Sequence, residues 1–120
     1  MDRHYYDAVV TFNRLKDKNY ALVKKHYLAV GMLKSSKAKN TGNFPILINR
    51  DISCPLRKLS IQLYQETRIL IETDTLNNIL SIVKQGDAIA LLPLSLAINE
   101  LTTADEHSHD IIYYEYKNNA

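Results

Sequence analysis

The chain is short of several things, and each shortage narrows what it can be. It has one cysteine, Cys54, so no internal disulfide can form and the expected home is the cytoplasm. It has no apolar run long enough to span a bilayer, so no membrane role is expected. Its start, MDRHYYDAVV, lacks the apolar stretch and small-residue cleavage site of a secretory signal. It has no internal repeat and no low-complexity tract. No base–nucleophile pair sits at a sensible spacing, so no enzyme is expected, and no motif asks for a cofactor.

What is present suits one small domain. Of 120 residues, 46% are apolar, enough for a real core. The net charge of +2 is unevenly spread. Between Arg14 and Lys39 the cations Arg14, Lys16, Lys18, Lys24, Lys25, Lys34, Lys37 and Lys39 face a single acid, Asp17, whereas the stretch from Glu100 to Glu115 is acidic. A basic block can attract phosphates. These lysines fall mostly in expected loops without interleaved arginines, which fits a solvated surface better than a nucleic-acid interface.

Strands and helices alternate through the middle of the chain. Strands are expected at Tyr6–Phe12, through Leu22–Leu33 with a break at Lys24–Lys25, at Phe44–Asn49, Arg68–Ile71 and Ala88–Leu92, and at Asp110–Tyr116. Lys34–Asn43 and Thr102–His109 read as polar loops, and Leu94–Leu101 as a short helix. One helix is expected to start at a Ser53 or Cys54 cap with Pro55 in its first turn and to run to Glu66, with Leu56, Leu59, Ser60, Leu63 and Tyr64 at helical spacing. A second is capped by Asp74 or Thr75, carries Leu76, Ile79, Leu80 and Val83 on one stripe, and stops at Gly86. This alternation predicts an α/β fold with parallel strand pairs and right-handed crossovers.

In open α/β sheets ligands gather at the carboxyl ends of strands. Two strand-to-helix junctions qualify: Asn49–Cys54 and Glu72–Thr75. Each brings short polar side chains and free backbone N–H groups to a helix start, where anions are favoured. Ordinary helix capping would use Ser53, Asp74 and Thr75 in the same way, and the local sequence leaves both readings open. His107 and His109, among Asp105, Glu106 and Asp110, could hold a metal but fit a solvated loop better. Tyr5, Tyr6, Tyr113 and Tyr114 read as edge packing, and His4 and His26 as isolated.

The stretch Ile69–Pro93 (ILIETDTLNNILSIVKQGDAIALLP) resembles the effector-binding domain of LysR-type transcriptional regulators. The resemblance rests on the polar strand end Glu72-Thr73-Asp74-Thr75-Leu76, the turn Val83-Lys84-Gln85-Gly86, and the strand Ile89-Ala90-Leu91-Leu92-Pro93. It extends more loosely over residues 6–99, with a return strand at 110–116, and corresponds to the second lobe alone. It implies a periplasmic-binding-protein-like type II fold, one lobe, with a mixed, largely parallel sheet flanked by helices. It further implies a partial effector-binding domain over residues 1–120 without a helix-turn-helix, so the chain looks like a fragment.

By resemblance, a small anionic effector would touch Ile52, Ser53, Cys54 and Pro55 at the first junction and Asp74, Thr75 and Leu76 at the second. Ser53 and Thr75 would donate hydrogen bonds, Ile52 and Leu76 would form apolar walls, and Arg50 could pair with the anion. The family also implies a homo-oligomer formed through this domain, with DNA reached only by a domain absent here. Peroxide-sensing members place a reactive cysteine where Cys54-Pro55-Leu56-Arg57 stands; they use a second cysteine, which this chain lacks. A fragment of a type II solute-binding protein from a transport system is the alternative. The sensor expectation asks that Ser53 and Thr75 lie on the same side of the sheet, around one hollow lined by their hydroxyls.

Overall fold

In a computed structural model of the chain, residues 8–12 and 14–118 are described. In chain order the elements are strands β1 (Ala8–Thr11), β2 (Tyr20–Ser35) and β3 (Ile46–Asn49), helix α1 (Pro55–Tyr64), strand β4 (Leu70–Thr73), helix α2 (Leu76–Gln85), and strands β5 (Ile89–Pro93) and β6 (Leu101–Asn118). A single 3₁₀ turn, Leu94–Leu96, stands where a longer helix was expected. Residues 1–7, which carry His4, Tyr5, Tyr6 and the start of the first expected strand, lie outside the described residues.

The chain divides into two units: Ala29–His109, and Met1–Leu28 with Asp110–Ala120. In the first, the strand order is β6-β2-β5-β3-β4. Parallel pairing is confined to one side of it, where β3 pairs with both β4 and β5. β2 joins antiparallel, with Val30 opposite Pro93 and Met32 opposite Leu91. β3 and β5 are apolar and buried at nearly every position because helices cover both of their faces, whereas β4, at the edge, exposes Ile71 and Glu72. Leu47, Ala90, Leu92 and Leu33 share one face, and α2 lays Ile79 and Val83 onto it. Ile46, Ile48, Ile89, Leu91 and Met32 alternate onto the other face and are all buried.

Gly31 has a packing reason to be glycine. A Cβ there would stand 2.8 Å from Leu94 Cδ2, so the Leu94 side chain would have to shift to admit one. Gly86 has a conformational one: it ends α2 at φ 88, the left-handed cap that only glycine adopts without cost.

Two strands run further than their composition suggests. β2 passes through Lys24–Lys25 without a break, both lysines being exposed. β6 takes in the whole of Thr102–His109, expected as a loop. In the larger unit that half of β6 is an edge strand, and Asp105, Glu106, His107 and Ser108 are exposed. Charged side chains on an edge are how sheets discourage further pairing, so a protected edge resembles a loop in composition.

The smaller unit has the strand order β1-β6-β2, with β1 antiparallel to β6 from Ala8↔Lys117 to Thr11↔Tyr114. Its tyrosines do pack at the sheet. Tyr113 takes Phe12 edge-on at 6.0 Å and stacks on His26 at 4.7 Å. His26 is not isolated: its Nε2 lies 2.8 Å from Glu115 Oε1. Tyr116 is buried, and its hydroxyl accepts from the Leu15 N–H at 2.9 Å.

Candidate functional site

The strand order reverses at β3. The chain leaves β3 through α1 to reach β4 on one side, then returns through α2 to β5 on the other. Right-handed crossovers taken in opposite directions put their helices on opposite faces. The shared core of α2 with Leu47, Ala90 and Leu92 agrees, leaving the Ile46/Ile48 face to α1. Such a reversal makes a crevice at the carboxyl ends of the strands, between two helix starts. The strand ends are level here: Asn49 pairs with Thr73, and the Arg50 N–H donates to the Thr73 carbonyl at 3.0 Å.

The α1 start is built by an aspartate. Asp51 Oδ1 accepts from both the Ser53 N–H (3.0 Å) and the Ser53 hydroxyl (2.8 Å). Those bonds, the backbone one foremost, hold the Asp51 carboxyl below the usual range. Ser53 is thereby occupied and does not cap the helix. Cys54 sits at the N-cap, and its side chain makes no capping bond. Pro55 follows where a missing N–H does no harm.

Arg57 stands in the first turn of α1, and no acid shares that turn. A cation is unfavourable there, because the helix start is already electropositive. It is held by two acceptors on Nη1: the Asn49 carbonyl at 2.9 Å and Glu72 Oε2 at 2.7 Å. One turn on, Ser60 is buried against the sheet and satisfies its hydroxyl on the Leu56 carbonyl at 2.7 Å.

The α2 start is conventional. Thr75 is the N-cap, and its hydroxyl oxygen accepts from the Asn78 N–H at 3.1 Å. Asp74 leaves the cap to Thr75 and pairs with Arg50 at 2.7 Å, both side chains being largely exposed.

These starts border two depressions. At the crest of β3 and β5 is a hollow of about 20 Å³, lined from the α1 side by Cys54, Leu56, Arg57 and Ser60 and from the α2 side by Leu76 and Ile79. That is room for about one water. Along β4 and α2 runs an open groove of about 500 Å³, bordered by Arg50, Glu72, Asp74, Asn78, Ser81 and Asp87.

The candidate residues thus separate into three groups. Cys54 and Leu76 meet at the crest hollow. Arg50 and Asp74 border the groove. Ile52, Ser53, Pro55 and Thr75 line neither, and Ile52 is 77% exposed. The expected hollow lined by the Ser53 and Thr75 hydroxyls is not what these starts form: α1 and α2 cover opposite faces, and neither side chain lines the crest hollow or the groove. The two starts converge only over the strand ends, and the Ser53 and Thr75 side chains are both engaged within their own turns. Arg57 and Glu72 were missed as a pair. The signal for Arg57 was legible: an arginine in the first turn of a helix without an acid beside it.

The remaining candidates stay apart from this site. His107 lies on β6, exposed, its N–H donating to Asp105 Oδ1 at 2.9 Å. Among the described residues no group of three His, Cys, Asp or Glu side chains is placed to hold a metal. Among them also, no helix is long and apolar enough to cross a membrane.

No protein-family model matches the sequence, and no curated protein matches it either. Solved structures do match the fold. Full-length LysG of Corynebacterium glutamicum with bound arginine superposes with a TM-score of 0.68 at 13% identity, over 93% of this chain and 44% of its own. HypT of Salmonella typhimurium, a hypochlorite-specific LysR-type regulator, gives 0.68 at 13% identity over 95% of this chain and 46% of its own. The effector-binding domain of QuiR in complex with shikimate gives 0.64 at 14%, over 94% of this chain and 62% of its own. The chain therefore spans 44–46% of the full-length regulators and 62% of the separate effector domain, and it has the periplasmic-binding-protein-like type II fold, one lobe, of the effector domains of LysR-type transcriptional regulators.

Proposed function

We propose that the chain is the small-molecule-sensing part of a LysR-type transcriptional regulator and that its ligand is anionic. One observation carries the reading: in a fold shared with effector domains, Cys54 from α1 and Leu76 from α2 line one hollow at the strand-order reversal. The structures of similar fold include one with bound arginine and one with shikimate, which favours a regulator over a transport-protein fragment.

The ligand would lie over the two helix starts, against Ile52 to Pro55 on one side and Asp74 to Leu76 on the other. Two electropositive helix starts favour a carboxylate there. Ser53 and Thr75 act by shaping those turns, since their hydroxyls are engaged. Leu76 gives an apolar wall, and Arg50 a cation within reach of the groove. In the proposed setting the protein is cytoplasmic, pairs with a second copy through this domain and reaches DNA through another domain. A ligand that binds one arrangement of lobes better shifts the population toward it.

A thermal-shift screen of small carboxylates tests this. Binders are expected to raise the Tm of the wild type and to do so less for Leu76→Asp. A panel that shifts neither protein, with no perturbation of amides at residues 52–54, 56–57 and 74–76, would overturn the reading.

A further inference from the structure

Arg57 is the cation that belongs to the crest hollow itself, and it is already paired. Its side chain is only 18% exposed, whereas that of Glu72 is 51% exposed. Both of its bonds converge on Nη1. Among the described residues Nε and Nη2 carry no protein partner, so the rest of the guanidinium fork is available. The Asn49 carbonyl, at the very end of β3, fixes that fork at the crest whether or not Glu72 is present. Glu72 lies near the end of β4, the outermost strand, with water on one side.

We infer that Arg57 reads the carboxylate of the effector and that Glu72 is an internal occupant of the same cation, displaced when ligand binds. The inference rests on the sensing role proposed above and names the group that would select the ligand. Three features support it. A cation in the first turn of a helix meets an electropositive end, so the site favours a nearby anion. A half-exposed ion pair is weak because water screens it, so Glu72 can be exchanged. The hollow admits about one water and Glu72 borders the neighbouring groove, so a carboxylate reaches Arg57 from the groove side, in the place of the Glu72 carboxylate. A planar carboxylate matches the fork of an arginine, which a spherical or tetrahedral anion does less well. The class is thus a small organic acid whose apolar body rests on Leu56 and Leu76.

The test is an amide-resolved NMR titration of the whole chain at constant ionic strength with sodium acetate, sodium succinate, sodium phosphate and sodium chloride. Acetate and succinate are expected to shift the amides of Cys54, Leu56, Arg57, Thr75 and Leu76 in the wild type, and phosphate and chloride much less. Glu72→Gln keeps the shape of the side chain and removes the competitor, so carboxylates should bind about two- to fivefold tighter. Arg57→Lys should weaken binding, Arg57→Gln should abolish it, and Lys58→Gln, an exposed neighbour, should change nothing. An unchanged or weaker affinity in Glu72→Gln overturns the inference without any appeal to the Arg57 variants, whose folding is less assured. Carboxylate shifts at the crest that are the same in every variant would remove Arg57 and Glu72 from recognition while leaving the sensing role intact. Crest amides that respond to no anion in any variant would remove both.

Discussion

The two helices are of equal length, yet α2 is specified locally and α1 by its surroundings. α2 has a capping threonine, two buried side chains one turn apart, a basic residue in its last turn and a left-handed glycine stop. α1 has an N-cap without a side-chain bond, no acid in its first turn, and a C-cap, Gln65, still in helical conformation. Its single fully buried side chain is a serine. Its start is held instead by the Asp51 turn and by Arg57 reaching back to Asn49 and across to Glu72. A helix with its own start and stop signals closes the fold. One whose start depends on neighbouring strand ends can respond to what happens there.

This contrast can be tested from its strongest point downward. Ile79→Ala empties a buried position of α2 and should cost about 2–5 kcal/mol, read as a lower midpoint in denaturant. Leu63→Ala, on an exposed part of the α1 stripe, should cost well under half of that. Equal losses would mean that α1 is anchored as firmly as α2. Gly86→Ala forces a Cβ into positive φ and should cost about 1–2 kcal/mol by the same measurement. Thr75→Ala should cost about 1 kcal/mol through the lost bond to the Asn78 N–H, whereas Cys54→Ser should be neutral or stabilising, since it offers a capping oxygen where none acts. A loss in Cys54→Ser as large as that in Thr75→Ala would erase the distinction.

The smallest effect concerns pH at the far end of α1. Burial, assisted by Asp105, pushes the Tyr64 hydroxyl above the ordinary tyrosine range, against a smaller opposing pull from Arg68. A raised value means that the folded state holds the proton more firmly than the unfolded chain. The associated stability is complete below the unfolded tyrosine value of about 10 and is lost as pH rises through the folded one. Thermal melts across that window should show a decline in the wild type that is weaker in Tyr64→Phe.

How much of this could be read from residues alone follows the same division. The α2 unit was legible from Thr75 to Pro93, because each of its signals is local: a cap, a stripe, a glycine, an apolar strand. The helical phase of α1 was legible, but its boundary was not. Glu66 falls beyond its end because nothing like Gly86 marks the stop. The polar half of β6 was read as a loop because partnership with β2, not propensity, makes it a strand. At the site, the two junctions were found from their position at strand ends. Which side chains reach the hollow was not, since that depends on Ser53 being taken by Asp51 and on Arg57 folding back over Asn49. The opposite placement of α1 and α2 was implicit in the strand order, and strand order is set by pairing between distant segments.

Arg68 reaches well beyond its own turn. Its Nη2 donates to the carbonyls of Thr41 and Phe44, at 2.8 and 2.6 Å, fastening the far end of the lysine-bearing connection just before β3 begins. A protease that nicked the segment at Lys37 or Lys39 would therefore release a tether rather than a strand. The parallel strands should outlast such a cut, with their entry point still clamped by one guanidinium.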